Sequence, residues 1–216
     1  MRYIFATHNR GKVEQVEKIL RQLLKLDIKI ETSNDVGYTD EIVEGGESFE
    51  ANSDLKAKTL YNYCKSKMKE DFFVFADDAG MCVDALNGAP GVYSDRYAGE
   101  HVGQEENLTK LFKELEDKKT KEERSAQFVS VFTGYLSDGT KFVSRGECKG
   151  YIATERGKKP DKLTYGPVFV PNGFDKTLSD FTDEEFAKLE QTHHRVLAFE
   201  GLIKEYQKYL DDREIR

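Results

Sequence analysis

Apolar residues along this chain recur at two spacings, and the switches between them outline the fold. Tyr3-Ile4-Phe5-Ala6 is a short apolar run that reads as a buried strand, and Val13, Val16, Ile19, Leu20, Leu23 and Leu24 follow it at helical spacing. Residues 28–32 (IKIET) alternate like a second strand, while 33–47 are acidic and glycine-bearing, as in a loop. From Ser48 to Lys67, Phe49, Leu55, Leu60 and Tyr63 mark a helix. Phe72-Phe73-Val74-Phe75-Ala76 is the strongest strand signal, expected to end at Asp77-Asp78.

Beyond a Gly/Pro-punctuated loop at 84–99, Leu108, Leu111, Phe112 and Leu115 share one face of a helix over 103–116, and 117–124 (DKKTKEER) is a charged turn. Two long strands, 126–136 and 141–148, flank Ser137-Asp138-Gly139-Thr140, a hairpin turn by composition. A loop from Thr154 to Leu163 leads to Pro167-Val168-Phe169-Val170, and a last helix is expected from Thr192 to Leu210. With no internal repeat or low-complexity linker in 216 residues, a mixed-sheet α/β protein is the economical reading, as one large domain or two small lobes.

Composition narrows the function classes. With 38% hydrophobic and 34% charged residues, and Phe and Tyr in place of Trp, the chain reads as soluble and globular. A net charge of −7 argues against a nucleic-acid polymer, which wants a broad basic surface, but leaves a single nucleotide open. Cys64, Cys82 and Cys148 are odd in number and far apart, which fits neither a disulfide framework nor a zinc pattern. They read as reduced thiols. No apolar run approaches the ~20 residues that span a bilayer, and the N-terminus enters a strand directly, so a cytoplasmic protein without a membrane partner is expected.

Between the first strand and helix lies a polar knot, Thr7-His8-Asn9-Arg10-Gly11-Lys12. A helix start leaves N–H groups without partners and carries partial positive charge, so an added Lys and Asn amide make it a receptacle for an anion. The same residues also suit a simple cap and a surface cation, and the G-x-x-x-x-G-K-[ST] form of a P-loop is absent. Asp77 and Asp78, followed by Ala79-Gly80, raise a parallel choice between turn formers and a cation site. Carboxylates after five apolar residues are costly to desolvate unless positive charge, such as a divalent cation, meets them. Glu41 and Glu44 form a second acidic patch ahead of the Lys56-bearing helix, which would put both strand–helix junctions at one cleft. His194 and Arg195 open the last helix near Lys188, either as an exposed basic cap or as a clamp for a base carbonyl or phosphate. The adjacent His193 and His194 cannot share a helical face as i, i+4 ligands do, which argues against zinc.

In this order the pieces resemble the inosine triphosphate pyrophosphatase family, the Ham1-like enzymes that hydrolyse non-standard purine nucleoside triphosphates to the monophosphate and pyrophosphate. The matching segments are 6–16 (ATHNRGKVEQV), 44–61 (EGGESFEANSDLKAKTLY), 75–100 (FADDAGMCVDALNGAPGVYSDRYAGE), 144–157 (SRGECKGYIATERG), 164–173 (TYGPVFVPNG) and 192–202 (THHRVLAFEGL), nearly the whole chain. The resemblance implies an elongated mixed sheet with flanking helices, a single domain over 1–216 of two lobes around a cleft, Mg²⁺ dependence and a homodimer. It further implies that Thr7, His8, Asn9, Arg10, Gly11 and Lys12 wrap the triphosphate, with Asn9 and Lys12 foremost, and that Lys56 adds a phosphate contact. Asp78 matches the catalytic carboxylate that holds Mg²⁺ and helps activate water, and Glu44, with Glu41 next, is expected to share the metal.

Four departures fall in the substrate-binding segments. Ala79 stands where the family has Ser or Thr. The base-recognition pattern Phe-Gly-Tyr/Trp-Asp-Pro reads Leu163-Thr164-Tyr165-Gly166-Pro167, so the stacking aromatic is Leu163 and the carboxylate is Gly166. Ser-His-Arg reads His193-His194-Arg195. The Lys five residues before the second His aligns with Leu189, leaving Lys188 only if the register slips by one. The phosphate and metal half is kept, and the base half is altered. A Mg²⁺-dependent nucleoside triphosphate pyrophosphatase is therefore the leading expectation. A nucleotide-binding regulatory protein on the same scaffold is the alternative, and a purely structural dimerisation module leaves the polar knot unexplained.

Overall fold

The computed structural model describes residues 1–22, 24–158 and 165–214. Its strands are β1 (Arg2–Phe5), β2 (Ile30–Thr32), β3 (Phe72–Val83), β4 (Ser125–Leu136), β5 (Lys141–Ile152) and β6 (Phe169–Pro171). Its helices are α1 (Arg10–Gln22), α2 (Phe49–Lys67), α3 (Gln104–Glu114), α4 (Asp183–Glu190) and α5 (His194–Glu214). The strands form one sheet in the order β2-β1-β3-β4-β5-β6. β1 runs parallel to β2 and β3, while β5 and β6 are antiparallel, so the sheet is mixed and the α/β class read from the sequence holds. The chain divides into two compact units: Met1–Asp78, Ser130–Gly146 and Arg195–Arg216 in one, Ala79–Val129 and Glu147–His194 in the other.

In the first unit, side chains alternate between the two faces of the sheet, and each face has its own core. Phe5, Phe73, Phe75 and Phe132 pack on one face with Val13, Val16, Ile19 and Leu20 of α1 and Phe199, Leu202 and Tyr206 of α5. Ile4, Ala6, Phe72, Val74 and Ala76 pack on the other with Ala57, Leu60, Tyr61 and Cys64 of α2. The register Ile4 with Val74 and Phe5 with Phe75 keeps these faces aligned across β1 and β3. Ser48 caps α2, its hydroxyl accepting from the Ala51 N–H at 3.1 Å, which fixes where that helix begins.

The second unit is built on Met81, Val83, Leu108, Leu111, Cys148, Phe169 and Leu178. Arg124 is buried there among backbone carbonyls, donating to Ile152 and Ala153 at 2.7 Å each and to Leu115 at 2.8 Å.

Several boundaries differ from the sequence reading. β3 does not end at Asp77-Asp78 but continues to Val83. The extension has partners for its backbone: the Met81 N–H donates to Ser94 Oγ at 2.8 Å, and the Val83 N–H donates to the Ala89 carbonyl at 3.1 Å. The second strand is confined to Ile30–Thr32, β5 runs four residues past its expected end at 148 to Ile152, and α5 opens at His194 in place of Thr192. α4 has no counterpart among the expected elements, although Thr182 and Glu185 form a reciprocal capping box that signals it. Among the described residues no helix is long and apolar enough to cross a membrane.

Gly134 of β4 shows how tightly the first unit is filled, since a Cβ there would sit 2.6 Å from the Phe73 ring. Gly134→Ala is expected to lower unfolding stability by about 1–3 kcal/mol through overpacking. Gly45→Ala, where a Cβ meets nothing within 4 Å, should change it little. Denaturant unfolding of the two variants beside the parent checks this, and equal stabilities would mean that the ring yields freely.

Candidate functional site

The alternation that builds the two cores also separates the acidic pair. Phe73 and Phe75 face α1 and α5, so Asp77 does too; Ala76 and Val74 face α2, so Asp78 does too. Adjacent in sequence, the two carboxylates meet different partners.

Asp77 is 2% exposed and lies between two cations, with Lys12 Nζ donating to one oxygen at 2.9 Å and Arg195 Nε to the other at 3.3 Å. Burial alone would raise its pKa, but Lys12, Arg195 and Lys56 together hold it well below the usual carboxylate range. Asp78 accepts from Asn52 Nδ2 at 3.0 Å and from Lys56 Nζ at 3.3 Å. Here burial outweighs the lysine, Glu44 adds repulsion, and the carboxyl is pushed up to about 6. Lys56 is buried, and desolvation works against its charge. Asp78, Asp77 and Glu44 nevertheless raise its pKa, so it stays an ammonium. It donates to Glu44 Oε1 at 2.7 Å.

Lys56 thus sits between Glu44 and Asp78, where its ammonium is the cation that both carboxylates hold. Among the described residues no group of three or more His, Cys, Asp or Glu could hold a metal by itself. Two carboxylates are the kind of oxygen donor a hard divalent cation takes, together with waters and further oxygens. Glu44 is half-buried against Lys56, whereas Glu41 is exposed, so of the two candidates Glu44 is the one beside Asp78's own partner.

The polar knot is ordered from within. Asn9 Oδ1 accepts from the Gly11 N–H at 2.9 Å, capping α1, and Thr7 Oγ1 accepts from the Asn9 N–H at 3.1 Å. His8 is drawn to the following loop, contacting Asn34 Oδ1 and the Asp40 carbonyl, and Arg10 pairs with Asp35 at 3.4 Å. Lys12 is turned to Asp77 yet remains 33% exposed, so its ammonium, with three donors, can also meet an anion.

In the second unit, Tyr165 is buried and its hydroxyl donates to the Ser94 carbonyl at 2.9 Å, so it is a core residue in this structure. Gly166 is buried and accepts from the Ser179 N–H through its carbonyl. His194 is buried and stacks on Phe128, with centroids 5.0 Å apart. Lys188 is exposed near the end of α4 and Leu189 is in the core, so the family's lysine position is occupied by an apolar core side chain. Ala79 is half-buried in β3. Leu163 and Thr164 lie outside the described residues.

Asn52 escapes the sequence reading, and Asp77 is assigned there to the wrong partner. Asn52 lies one helical turn before Lys56, and an amide buried inside an amphipathic helix four residues from a lysine is the available signal. Asp77 reads in sequence as half of one acidic patch with Asp78, which strand parity forbids.

The mixed α/β sheet carries two charged clusters, Lys12 and Arg195 around Asp77 on one face and Lys56 between Glu44 and Asp78 on the other. Among known proteins, the Ham1 family model matches residues 3–205, and the chain belongs to that family. A dITP/XTP pyrophosphatase of Clostridium perfringens is 37% identical over 201 residues, covering 93% of this chain and 95% of that protein. One from a Sulfurovum species is 39% identical over 185 residues, covering 85% and 84%. Among solved structures, the Ham1 protein of Staphylococcus aureus superposes with a TM-score of 0.78 at 29% identity, covering 99% of this chain and 100% of that one. A HAM1 protein of Coxiella burnetii gives a TM-score of 0.79 at 27% identity, covering 96% and 99%.

Asp78→Asn is expected to stabilise the metal-free fold. A carboxyl whose pKa rises from 3.8 to about 6 favours its neutral form in the folded state, and an amide mimics that form. The gain at pH 7–8 should be about 1–3 kcal/mol, because a tenfold change in a proton-binding constant is worth about 1.4 kcal/mol. It should shrink as the pH falls below 6 and Asp78 itself takes up a proton. Urea unfolding at pH 7.5 and pH 4.5 checks this, and a large loss of stability at pH 7.5 would show that the carboxylate holds the fold together.

Proposed function

We propose that this protein hydrolyses the triphosphates of non-standard purine nucleosides, ITP, dITP and XTP, to the monophosphate and pyrophosphate, and so cleanses the nucleotide pool. The observation that carries this reading is the cluster of Glu44, Lys56, Asn52 and Asp78, in a chain whose relatives are named dITP/XTP pyrophosphatases. Glu44 and Asp78 would hold Mg²⁺, which when bound neutralises phosphate charge and polarises the anhydride. Asp78 and Glu44 would also orient a water for attack at the anhydride. Lys56 and Lys12 offset the charge that develops on the phosphates, and Asn52 fixes the orientation of Asp78. At the start of α1, the side chains of Asn9 and Lys12 are the principal contacts for the triphosphate, with Thr7 and Gly11 shaping the turn.

At the base, His194 and Arg195 would donate to a 6-keto oxygen, which the 6-amino group of adenine does not offer. Gly166 in place of a carboxylate removes one polar discriminator. The preference for ITP or XTP over ATP should therefore persist with a smaller margin than in relatives that keep the acid, a difference of roughly tenfold to a hundredfold for 1–3 kcal/mol. A cytoplasmic homodimer is part of the same reading, carried by the family resemblance.

The test is pyrophosphate release from ITP, dITP, XTP, GTP, dUTP and ATP with Mg²⁺. The expected order in kcat/KM places ITP, dITP and XTP first. Binding without release would favour the regulatory alternative, and ATP as the best substrate would remove His194 and Arg195 from base recognition.

A further inference from the structure

Asp77 is the buried carboxylate that the reaction outlined above does not use. It lies in the interior, and its two oxygens are engaged by side chains from opposite ends of the chain: Lys12, third residue of α1, and Arg195, second residue of α5. Both cations reach outward, 33% and 15% exposed against 2% for the acid. Arg195 is braced a second time, Nη1 donating to Gln15 Oε1 at 2.9 Å, and Gln15 lies one turn along α1 from Lys12. One fixed oxygen pair therefore sets where both cations stand, and binds the first turns of α1 and α5 to the same point of β3. The three charges sum to +1, so the cluster stays receptive to an anion while neither lysine nor arginine is free to swing.

The geometry points to Asp77 as a positioning residue that couples phosphate recognition by Lys12 to base recognition by Arg195. The inference deepens the proposed pyrophosphatase reading and rests on it for the roles of those two cations. A long flexible lysine loses side-chain entropy when it is ordered on a ligand, and a buried anchor removes that cost before the substrate arrives. Because one carboxylate anchors both, disturbing it displaces both ends of the substrate together. Simple electrostatics predicts the opposite for the phosphate end, since deleting a negative charge beside Lys12 should tighten anion binding.

The experiment is a pair of double-mutant cycles on Asp77→Asn, combined with Lys12→Ala and with Arg195→Ala. Inorganic tripolyphosphate binding is measured by calorimetry, and kcat and KM are measured for ITP and ATP. Asp77→Asn should weaken tripolyphosphate binding and raise KM for both triphosphates by about tenfold, as expected for a misplaced contact. It should also lower the ITP-to-ATP ratio of kcat/KM several-fold. In the Lys12→Ala background the effect on binding should vanish, and in the Arg195→Ala background the effect on the ratio should vanish. Asp77→Glu, which keeps the charge but moves it by one methylene, is the second variant should the amide not fold, and is expected to shift both readouts in the same direction.

Unchanged or tighter tripolyphosphate binding in Asp77→Asn would overturn the positioning role, as would effects that persist undiminished in both backgrounds. If the parent protein releases no pyrophosphate from any triphosphate, the enzymatic reading fails while the tripolyphosphate cycle still decides whether Asp77 positions Lys12.

Discussion

Successive residues of a strand point to opposite faces, and in β3 this pleat parity governs everything built around the acidic pair. The apolar residues before it settle the question of sides: Phe73 and Phe75 must join one core, Phe72, Val74 and Ala76 the other. Continuing that alternation, Asp77 has to emerge beside α1 and α5, and Asp78 beside α2. A shift of one residue would expose several aromatic rings and exchange the partners of both carboxylates. The register of the hydrophobic core thus fixes the chemistry of its polar extension.

The two faces treat the same functional group differently. On one, Lys12 and Arg195 overcompensate the desolvation of Asp77, which is held ionised. On the other, a single buried lysine is shared between Asp78 and Glu44, and Asp78 is left with a pKa of about 6. One carboxylate is stabilised as a fixed anchor; the other remains in an environment that disfavours its charge. Such imbalance costs stability, and proteins tolerate it where a reaction or a metal completes the neutralisation. In the proposed reading, Mg²⁺ brings the missing positive charge.

Much of this is legible in the sequence because local signals and long-range packing agree. Val13, Val16, Ile19 and Leu20 announce α1 by their spacing, and the FFVFA run announces β3. The polar knot sits at the helix start, where the structure finds Asn9 as its cap. The failures have physical causes. The continuation of β3 past Asp78 depends on Ser94 and Ala89 of the following loop folding back to supply partners, which the residues of the strand do not signal. The bond from Asn52 to Asp78 and the convergence of Lys12 and Arg195 on Asp77 are tertiary events between elements far apart in the chain. Tyr165, read as a base-side residue by alignment to a motif, is a core residue whose hydroxyl is satisfied by Ser94. A motif carries residue type and position, and it does not carry burial.

The central claim is that the Asp78 cluster directs attack so that the leaving group is pyrophosphate. The most direct measurement is phosphorus NMR of the products formed from ITP with Mg²⁺, for the parent protein and for Asp78→Asn. The account predicts IMP and pyrophosphate in equimolar amounts from the parent and no products from the variant. IDP with orthophosphate from the parent, or undiminished pyrophosphate from Asp78→Asn, would contradict it.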